Sequence, residues 1–269
     1  MSGLELWWLG QSGFRLRDPA GGPVLFLDPF LSPHERRSWE APIGPEELGR
    51  RADAILCTHE HIDHFDQPAL RAAAATPGSR FALVVPRPLV DRAVELGVPR
   101  ERVIGAQPDE PLDLDGALIH PVPARHGVNV SDAYNFGEQL SDGLVRYLGY
   151  VVELGGVRAY HAGDTIPYDG QIDRLRALQP HLALLPINGR DFFRETEDNT
   201  VGNLDPREAA RLAGDIGAEA LVPMHWELFP FNRGFPRDLA AYVAEFLPRL
   251  TLLIMGRGAR VIYLPAAEG

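Results

Sequence analysis

The sequence predicts an α/β protein built around one large core, and two features support that fold class. Short apolar runs bounded by turn-forming residues recur along the chain, and such runs are typical of buried strands. They alternate with stretches rich in Ala, Leu and Arg that have helical character. Because 269 residues with 45% hydrophobic content can bury a large core, we expect a single domain over residues 1–269.

The predicted strands follow the apolar runs in chain order. They cover residues 4–9, 13–16, 24–28, 54–58, 81–85, 102–104, 117–121, 144–154, 157–161, 182–185, 220–223, 251–255 and 260–263. Gly155-Gly156 lies between two β-rich runs and predicts a tight hairpin, because glycine reaches the positive φ angles that such a turn requires. The run 256–258, Gly-Arg-Gly, predicts a similar hairpin near the end of the chain.

The predicted helices cover residues 67–75, 87–96, 171–178, 206–214 and 237–246. The fourth begins with a recognisable signal, because Asp205 can act as an N-cap, Pro206 suits the first turn, and Glu208 is spaced as in a capping box. The segments 32–45 and 190–204 are long and polar. Loops of that length in a compact domain are often functional, so we expect these two to cover a substrate.

Charge and composition restrict the partners and the compartment. The formal net charge of −11 disfavours nucleic acid as a partner, because the chain would repel a polyanion. The single cysteine, Cys57, excludes an internal disulfide and is read as a small core residue. The N-terminal run lacks the features of a signal peptide, and no apolar run is long enough to span a membrane. We therefore expect a cytoplasmic protein with a small-molecule substrate and no membrane partner, either alone or as a homo-oligomer.

Residues 58–66 read THEHIDHFD and place three histidines and an acid in a short turn directly after a strand. His59 and His61 are two positions apart, so on an extended backbone both imidazoles face the same way and can bind one metal ion. Asp63 and His64 lie where the next helix is expected to begin, so they can address a second ion. A lone histidine is more often a core or surface residue, but the density of this turn favours a metal site.

Further candidates lie just past the ends of apolar strands, and in layered α/β folds such strand ends converge on one rim. They are Asp28 after VLFL, His126 after ALIHPVPAR, Asp164 in AYHAGDT and His225 after ALVPM. His120 competes with His126 for the third position of the first metal site. We favour His126 because the chain is leaving the strand there, whereas His120 lies inside the apolar run.

Nitrogen and carboxylate ligands without a thiolate suit zinc, manganese or iron, so the predicted cofactor is one or two divalent metal ions. Asp164 is the best candidate to bridge two ions about 3.5–4 Å apart. Such ions lower the pKa of a bound water from ~15.7 towards ~7, which supplies a hydroxide nucleophile at neutral pH. Asp63 is predicted to relay protons, so Asp63 and Asp164 are the candidate catalytic residues.

The THEHIDHFD run resembles the His-x-His-x-Asp-His signature of the metallo-β-lactamase superfamily. In chain order, Asp28 resembles the superfamily's early strand-terminal aspartate, His126 its third first-site histidine, Asp164 its bridging aspartate and His225 its late second-site histidine. The resemblance implies an αββα four-layer sandwich. In that fold two facing mixed sheets carry helices on their outer sides and the metals at one edge.

Three further runs resemble the L-ascorbate-6-phosphate lactonase branch of that superfamily. They are the opening WWLGQSGFRL, LLPINGRD at 184–191 and PMHWELFPFN at 223–232. This narrower resemblance implies a cytoplasmic hydrolase that opens a lactone or a related ester, often with manganese. It also implies an anionic substrate, such as the lactone of a phosphorylated sugar acid.

Several polar residues are candidates for supporting roles around the metals. Asp28 can accept the second N–H of a ligand imidazole and so fix its tautomer. Asn188 and Arg190 can polarise a carbonyl or hold an anionic group, since arginine offers a planar fork of donors. Asp66 is expected to cap the following helix, and His34 is read as an ordinary surface residue.

Three functions are consistent with these residues. The favoured one is hydrolysis of a lactone or ester by metal-bound hydroxide. The second is a phosphodiesterase or nuclease, because a pair of metal ions also suits a phosphoryl centre. The third is a non-catalytic metal-binding or sensing protein, for which the metal coordination would leave no open position for water. The net charge disfavours the second, and the ligands for a second ion disfavour the third.

Overall fold

The computed structural model describes residues 3–127, 143–189 and 202–266. Its strands form two seven-stranded sheets. One hydrophobic cluster contains residues of both sheets and of the helices between residues 171 and 246, and a second contains residues of the first sheet and of the helices between residues 45 and 94. The predicted α/β class and αββα sandwich are therefore confirmed.

The first sheet has the order β14-β1-β2-β3-β4-β5-β6. Its strands are β1 (Leu4–Gly10), β2 (Gly13–Arg17), β3 (Val24–Leu27), β4 (Ala54–Leu56), β5 (Ala82–Pro86), β6 (Val103–Ala106) and β14 (Arg260–Tyr263). The pairs from β14 to β3 are antiparallel, and those from β3 to β6 are parallel. The sheet is therefore mixed, with its parallel half formed by β3 to β6.

The second sheet has the order β13-β12-β11-β10-β9-β8-β7. Its strands are β7 (Leu112–Leu114), β8 (Ala117–Pro123), β9 (Leu148–Leu154), β10 (Val157–His161), β11 (Leu182–Pro186), β12 (Ala220–Met224) and β13 (Thr251–Leu252). The pairs from β7 to β10 are antiparallel, and those from β10 to β13 are parallel. Both sheets therefore have a parallel half whose strands end at one edge.

The α-helices are α1 (Pro45–Arg51), α2 (Gln67–Ala75), α3 (Val90–Val94), α4 (Gln171–Leu178), α5 (Pro206–Asp215) and α6 (Pro236–Phe246). The helix predicted at 87–96 is shorter, because a 3-10 turn at Arg87–Leu89 precedes α3. Neither α1 nor the short β7 was predicted. Among the described residues, no helix combines the length and the apolar character needed to cross a membrane.

Strand β1 shows how the layers are built. Leu6 and Trp8 belong to the cluster that contains residues of both sheets, whereas Trp7 and Leu9 belong to the second cluster. Successive side chains of a strand point to opposite faces, so an unbroken apolar run buries both faces at once. The strand LELWWLG therefore lacks the alternating polar residues of a strand that has one face in water.

The two predicted glycine hairpins have different outcomes. The Gly155-Gly156 hairpin is confirmed, since β9 and β10 are antiparallel neighbours and both glycines have positive φ angles of 59° and 73°. The hairpin at 256–258 is wrong, because β13 lies parallel to β12 in the second sheet while β14 pairs with β1 in the first. The glycine signal marks a turn in the chain, but the partner of each strand is set by long-range packing.

The capping box at the start of α5 is confirmed. Asp205 Oδ1 accepts hydrogen bonds from the backbone N–H groups of Arg207 (2.7 Å) and Glu208 (2.8 Å). The Glu208 carboxylate accepts one in return from the Asp205 N–H at 3.0 Å. These bonds satisfy N–H groups that have no partner within the helix.

Asp205→Ala should lower the free energy of unfolding by about 0.5–2 kcal/mol, because it removes an N-cap acceptor. Urea denaturation of both proteins measures the change. The matched control is Asp238→Ala, which alters the first turn of α6, where no side-chain cap bond is present. An equal loss in both variants would contradict a capping role for Asp205.

Candidate metal centre

The candidate site lies at the edge where strands of both sheets end. Each candidate follows the end of a different strand, and the parallel pairs β3–β4 and β10–β11–β12 bring several of these ends together. Asp28 follows β3, residues 57–66 follow β4, His126 follows β8, Asp164 follows β10 and His225 follows β12. The folding of the chain therefore gathers residues that are up to 197 positions apart in sequence.

The THEHIDHFD segment forms a tight turn between β4 and α2. The carbonyl of His61 accepts hydrogen bonds from the N–H groups of His64 (3.0 Å) and Phe65 (2.7 Å), which reverses the chain. Helix α2 begins at Gln67, as predicted, and Asp66 caps it by accepting a hydrogen bond from the Ala69 N–H, also as predicted. Because of this turn, side chains that are close in sequence contribute to two different groups of potential metal ligands.

The first group that could hold a metal ion contains His59, His61, His126 and Asp164, with one ligand atom from each lying within 4.8 Å of all the others. His61 Nδ1 lies 2.9 Å from His59 Nε2 and 3.1 Å from His126 Nε2. His126 Nδ1 lies 2.7 Å from the Gly202 carbonyl, to which it donates, and this leaves Nε2 directed at the group. His120 is not in this group, since it lies within β8 and lines a different cavity.

The second group contains Asp63, His64 and His225. Asp63 Oδ2 lies 3.2 Å from His225 Nε2 and 3.8 Å from His64 Nε2. Asp164 lies between the two groups. Its Oδ2 is 3.6 Å from His126 Nε2, and its Oδ1 is 3.2 Å from His64 Nε2 and 3.4 Å from His225 Nε2. Each oxygen of this carboxylate therefore faces one group.

The chemistry of these side chains fits divalent cations. The imidazole nitrogens of His59, His61 and His126 lie within hydrogen-bonding distance of one another. Two such nitrogens attract each other only when a proton or a cation lies between them. His64 Nε2 and Asp164 Oδ1 are buried and make no hydrogen bond within the described part of the chain. Buried polar atoms of this kind require a partner. Nitrogen and carboxylate donors without a thiolate are suited to zinc, manganese or iron.

Burial and neighbouring charges together lower the pKa values of two imidazoles of the first group and of the carboxylates of Asp63 and Asp164. Burial lowers the pKa of His59, and burial together with His126 lowers the pKa of His61 to about 3. Burial raises the pKa of Asp63 and of Asp164, but nearby imidazoles, including His64 and His225, outweigh it and hold both pKa values below the ordinary range. At neutral pH His59 and His61 are therefore uncharged imidazoles that can act as ligands, and Asp164 is an ionised carboxylate.

Asp28 contacts the Nδ1 atom of the His64 imidazole and fixes its tautomer. Its Oδ2 lies 2.6 Å from His64 Nδ1 and also accepts a hydrogen bond from the Thr58 hydroxyl at 2.7 Å. Its Oδ1 accepts a bond from the Thr58 N–H at 2.8 Å. A carboxylate can only accept here, so the proton lies on Nδ1 and His64 Nε2 is left facing Asp63 and Asp164.

Gln11 was not among the predicted residues, yet it contacts the second group directly. Its Nε2 donates to Asp63 Oδ2 at 2.8 Å and lies 3.0 Å from His225 Nε2. The backbone carbonyl of Gln11 accepts a hydrogen bond from the backbone N–H of His225 at 3.0 Å. The available signal was a polar residue after a glycine within the apolar opening WWLGQSGF, but that signal alone does not reveal a contact across 214 positions.

The two groups border a cavity of about 480 Å³. Asn188 lines it and donates to Asn232 Oδ1 at 2.8 Å. The reading of His34 as an ordinary surface residue is wrong, because it lines the cavity and packs edge-on against Phe30 and Phe229. Arg190 lies outside the described residues. The lining residues are His34, Arg36, Glu60, His61, Ile62, Asp63, His126, Asp164, Asn188, Gly189, Gly202, Asn203, His225, Phe229, Phe231 and Asn232.

Known proteins share this sequence pattern and this fold. The family described as "Beta-lactamase superfamily domain" matches residues 24–226. A "UPF0173 metal-dependent hydrolase" of Myxococcus xanthus is 31% identical over 262 residues, covering 95% of this chain and 82% of that protein. A protein of the same name from Rubrobacter xylanophilus is 31% identical over 268 residues, covering 96% of both.

A solved structure gives the same picture of the fold. The isothiocyanate hydrolase from Delia radicum gut bacteria superposes with a TM-score of 0.74 at 21% sequence identity, covering 97% of this chain and 99% of that one. At this identity the likeness concerns the fold alone. The matches over most of the sequence show that the chain belongs to the beta-lactamase superfamily and, within it, to the family named UPF0173 metal-dependent hydrolases.

Proposed function

We propose that this protein is a metal-dependent hydrolase that cleaves the carbonyl–oxygen bond of a lactone or other carboxylic ester. One observation carries the proposal: two groups of potential metal ligands meet at Asp164 beside a cavity large enough for a small molecule. The relatives that cover nearly the whole chain are named metal-dependent hydrolases. The lactonase-like runs of the sequence favour an ester carbonyl over other centres.

The residues proposed to hold the first ion are His59, His61, His126 and Asp164. Those proposed for the second are Asp63, His64 and His225, with Asp164 between the two. Divalent ions bound there would act as Lewis acids and lower the pKa of a water molecule at the site. The donor set favours zinc or manganese, with iron as a further candidate.

The protein's own side chains would orient the reactants and handle protons. Asp63 is the proposed proton relay, because its side chain is 13% exposed, borders the cavity and is held at Oδ2 by Gln11. Asn188 is proposed to orient the substrate carbonyl, since its amide lines the cavity and is held by Asn232. Arg190 remains a predicted substrate contact.

The same observations favour a small molecule over a polymer. The formal net charge of −11 makes a nucleic acid an unfavourable substrate. The cavity volume of about 480 Å³ is within the range of small-molecule sites. We propose a cytoplasmic location.

His61→Ala and Asp164→Asn should reduce turnover by at least about 100-fold, because each removes a group proposed to hold metal. Turnover is measured on a panel of lactones, esters and phosphodiesters, and metal content by elemental analysis. The matched control is His120→Ala, a histidine outside both groups, which should keep its metal and its activity. Full turnover with normal metal content in either test variant would refute the assigned roles.

Removal of metal with a chelator should abolish hydrolysis and lower the melting temperature. A ligand that binds only the folded protein stabilises it by about 2.7 kcal/mol at 100 times its dissociation constant. Calorimetry and activity are compared for metal-free protein and for protein reloaded with zinc or with manganese. Undiminished hydrolysis by protein shown to be metal-free would contradict the proposed function.

Gln11→Ala should weaken binding of one ion by about 10–100-fold and leave the other unaffected, because an outer hydrogen bond to a ligand is lost. Isothermal titration of metal-free protein with zinc measures both affinities. Gln67→Ala is the control, because it makes the same change at the start of α2, outside the cavity lining. Two unchanged affinities would show that Gln11 does not support the second group.

A further inference from the structure

The cavity lining includes large apolar side chains that the metal chemistry does not use. We call Ile62, Phe229 and Phe231 the apolar wall, since all three line the cavity. Ile62 and Phe231 are 52% and 63% exposed, respectively. Apolar surface left in water beside a binding cavity has an unfavourable hydration free energy that an apolar ligand can relieve.

The two phenylalanines of the wall, Phe229 and Phe231, pack against neighbouring side chains. Phe229 is buried and belongs to a small cluster with Phe30 and Leu228. The Phe231 ring lies 5.5 Å from the Phe229 ring, and the guanidinium of Arg36 lies 5.7 Å from the Phe231 ring centre. Phe229 is therefore fixed by packing, and Phe231 adds exposed aromatic surface to the cavity lining.

Apart from the proposed metal ions, the charges of the described residues around the cavity do not favour a phosphate group. Arg36 is the permanent cation among the described lining residues, and its side chain is 65% exposed, so water screens its charge. Among the described lining residues, Glu60 is the acid that is not a candidate ligand, and it pairs with Arg92 at 3.2 Å and Arg146 at 3.5 Å. The amides of Asn188 and Asn232 are neutral. The described lining therefore suits an uncharged polar group better than a second anion.

We propose that the substrate is an uncharged carboxylic ester or lactone whose alkyl or aryl group lies against the apolar wall. This inference rests on the proposed hydrolase function and narrows its substrate class. In the reaction, the oxygen of water bonds to the carbonyl carbon and the carbon–oxygen bond of the ester breaks. The products are the carboxylic acid and the alcohol, which takes up one proton from the water.

The first test compares methyl esters that differ only in the acyl tail: methyl butanoate, methyl hexanoate, methyl 3-phenylpropanoate and methyl 3-phosphonopropanoate. Turnover by the metal-loaded protein is followed in a pH-stat. We expect kcat/KM to rise by up to about fourfold for each methylene that the wall buries. The phenyl ester should be preferred over the phosphonate. A preference for the phosphonate, or no dependence on the tail while the esters are hydrolysed, would overturn the proposal.

Variants test whether Phe231 is responsible for the preference. Phe231→Ala should reduce the ratio of kcat/KM for the phenyl ester to that for the butanoate, and Phe231→Leu should retain most of it. The control is Phe246→Ala, which removes a similarly exposed phenylalanine, 57% exposed, that lies on α6 and does not line the cavity. An unchanged ratio in Phe231→Ala, or an equal decrease in the control, would overturn the assignment of the wall.

A binding experiment separates this inference from the proposed chemistry. Saturation-transfer NMR on the metal-loaded protein compares 3-phenylpropanamide with 3-phosphonopropanamide, neither of which needs to be hydrolysed. Binding through the phenyl ring that is lost in Phe231→Ala and kept in Phe246→Ala supports the wall, even if no ester is turned over and the proposed function fails. Binding of the phosphonate alone, or of neither amide, would reject the wall as a recognition surface.

Discussion

Asp164 lies between two groups of buried imidazoles, and the surrounding structure is arranged around the charge and lone pairs gathered there. Its two oxygens face His126 on one side and His64 and His225 on the other. Burial alone would neutralise such carboxylates, but the neighbouring imidazoles keep them ionised. A site of this composition is stable when a cation satisfies the facing donors, which links the proposed chemistry directly to folding.

The backbone around the site is held in a strained conformation at three places. Gln11, Asp28 and His225 have positive φ angles of 51°, 43° and 57°, although none is glycine. Each costs on the order of 1–3 kcal/mol. Hydrogen bonds offset this cost, since Asp28 binds Thr58 and His64 while the Gln11 carbonyl accepts from the His225 N–H. Each of these residues follows the end of a strand, and all three side chains belong to the candidate metal site.

The substrate side of the cavity follows from packing between distant segments. His34 and Phe30 from the segment after β3 pack against Phe229 from the segment after β12. Phe231 then continues the aromatic surface outward. The sequence alone suggests a substrate-covering loop at 32–45, but it does not show that aromatic rings would line the same cavity as the candidate metal ligands. The lactonase-like resemblance implies an anionic substrate, whereas these contacts favour an apolar one.

The sequence by itself determined the features that depend on local spacing. The THEHIDHFD turn, the Asp66 and Asp205 caps and the Gly155-Gly156 hairpin depend on residues within a few positions of one another. Only the tertiary structure decided which distant residues meet. Gln11 contacts Asp63 and His225, and β14 joins β1 instead of β13, because sheet pairing and core packing act between segments remote in sequence. Spacing along the chain carries no information about such contacts.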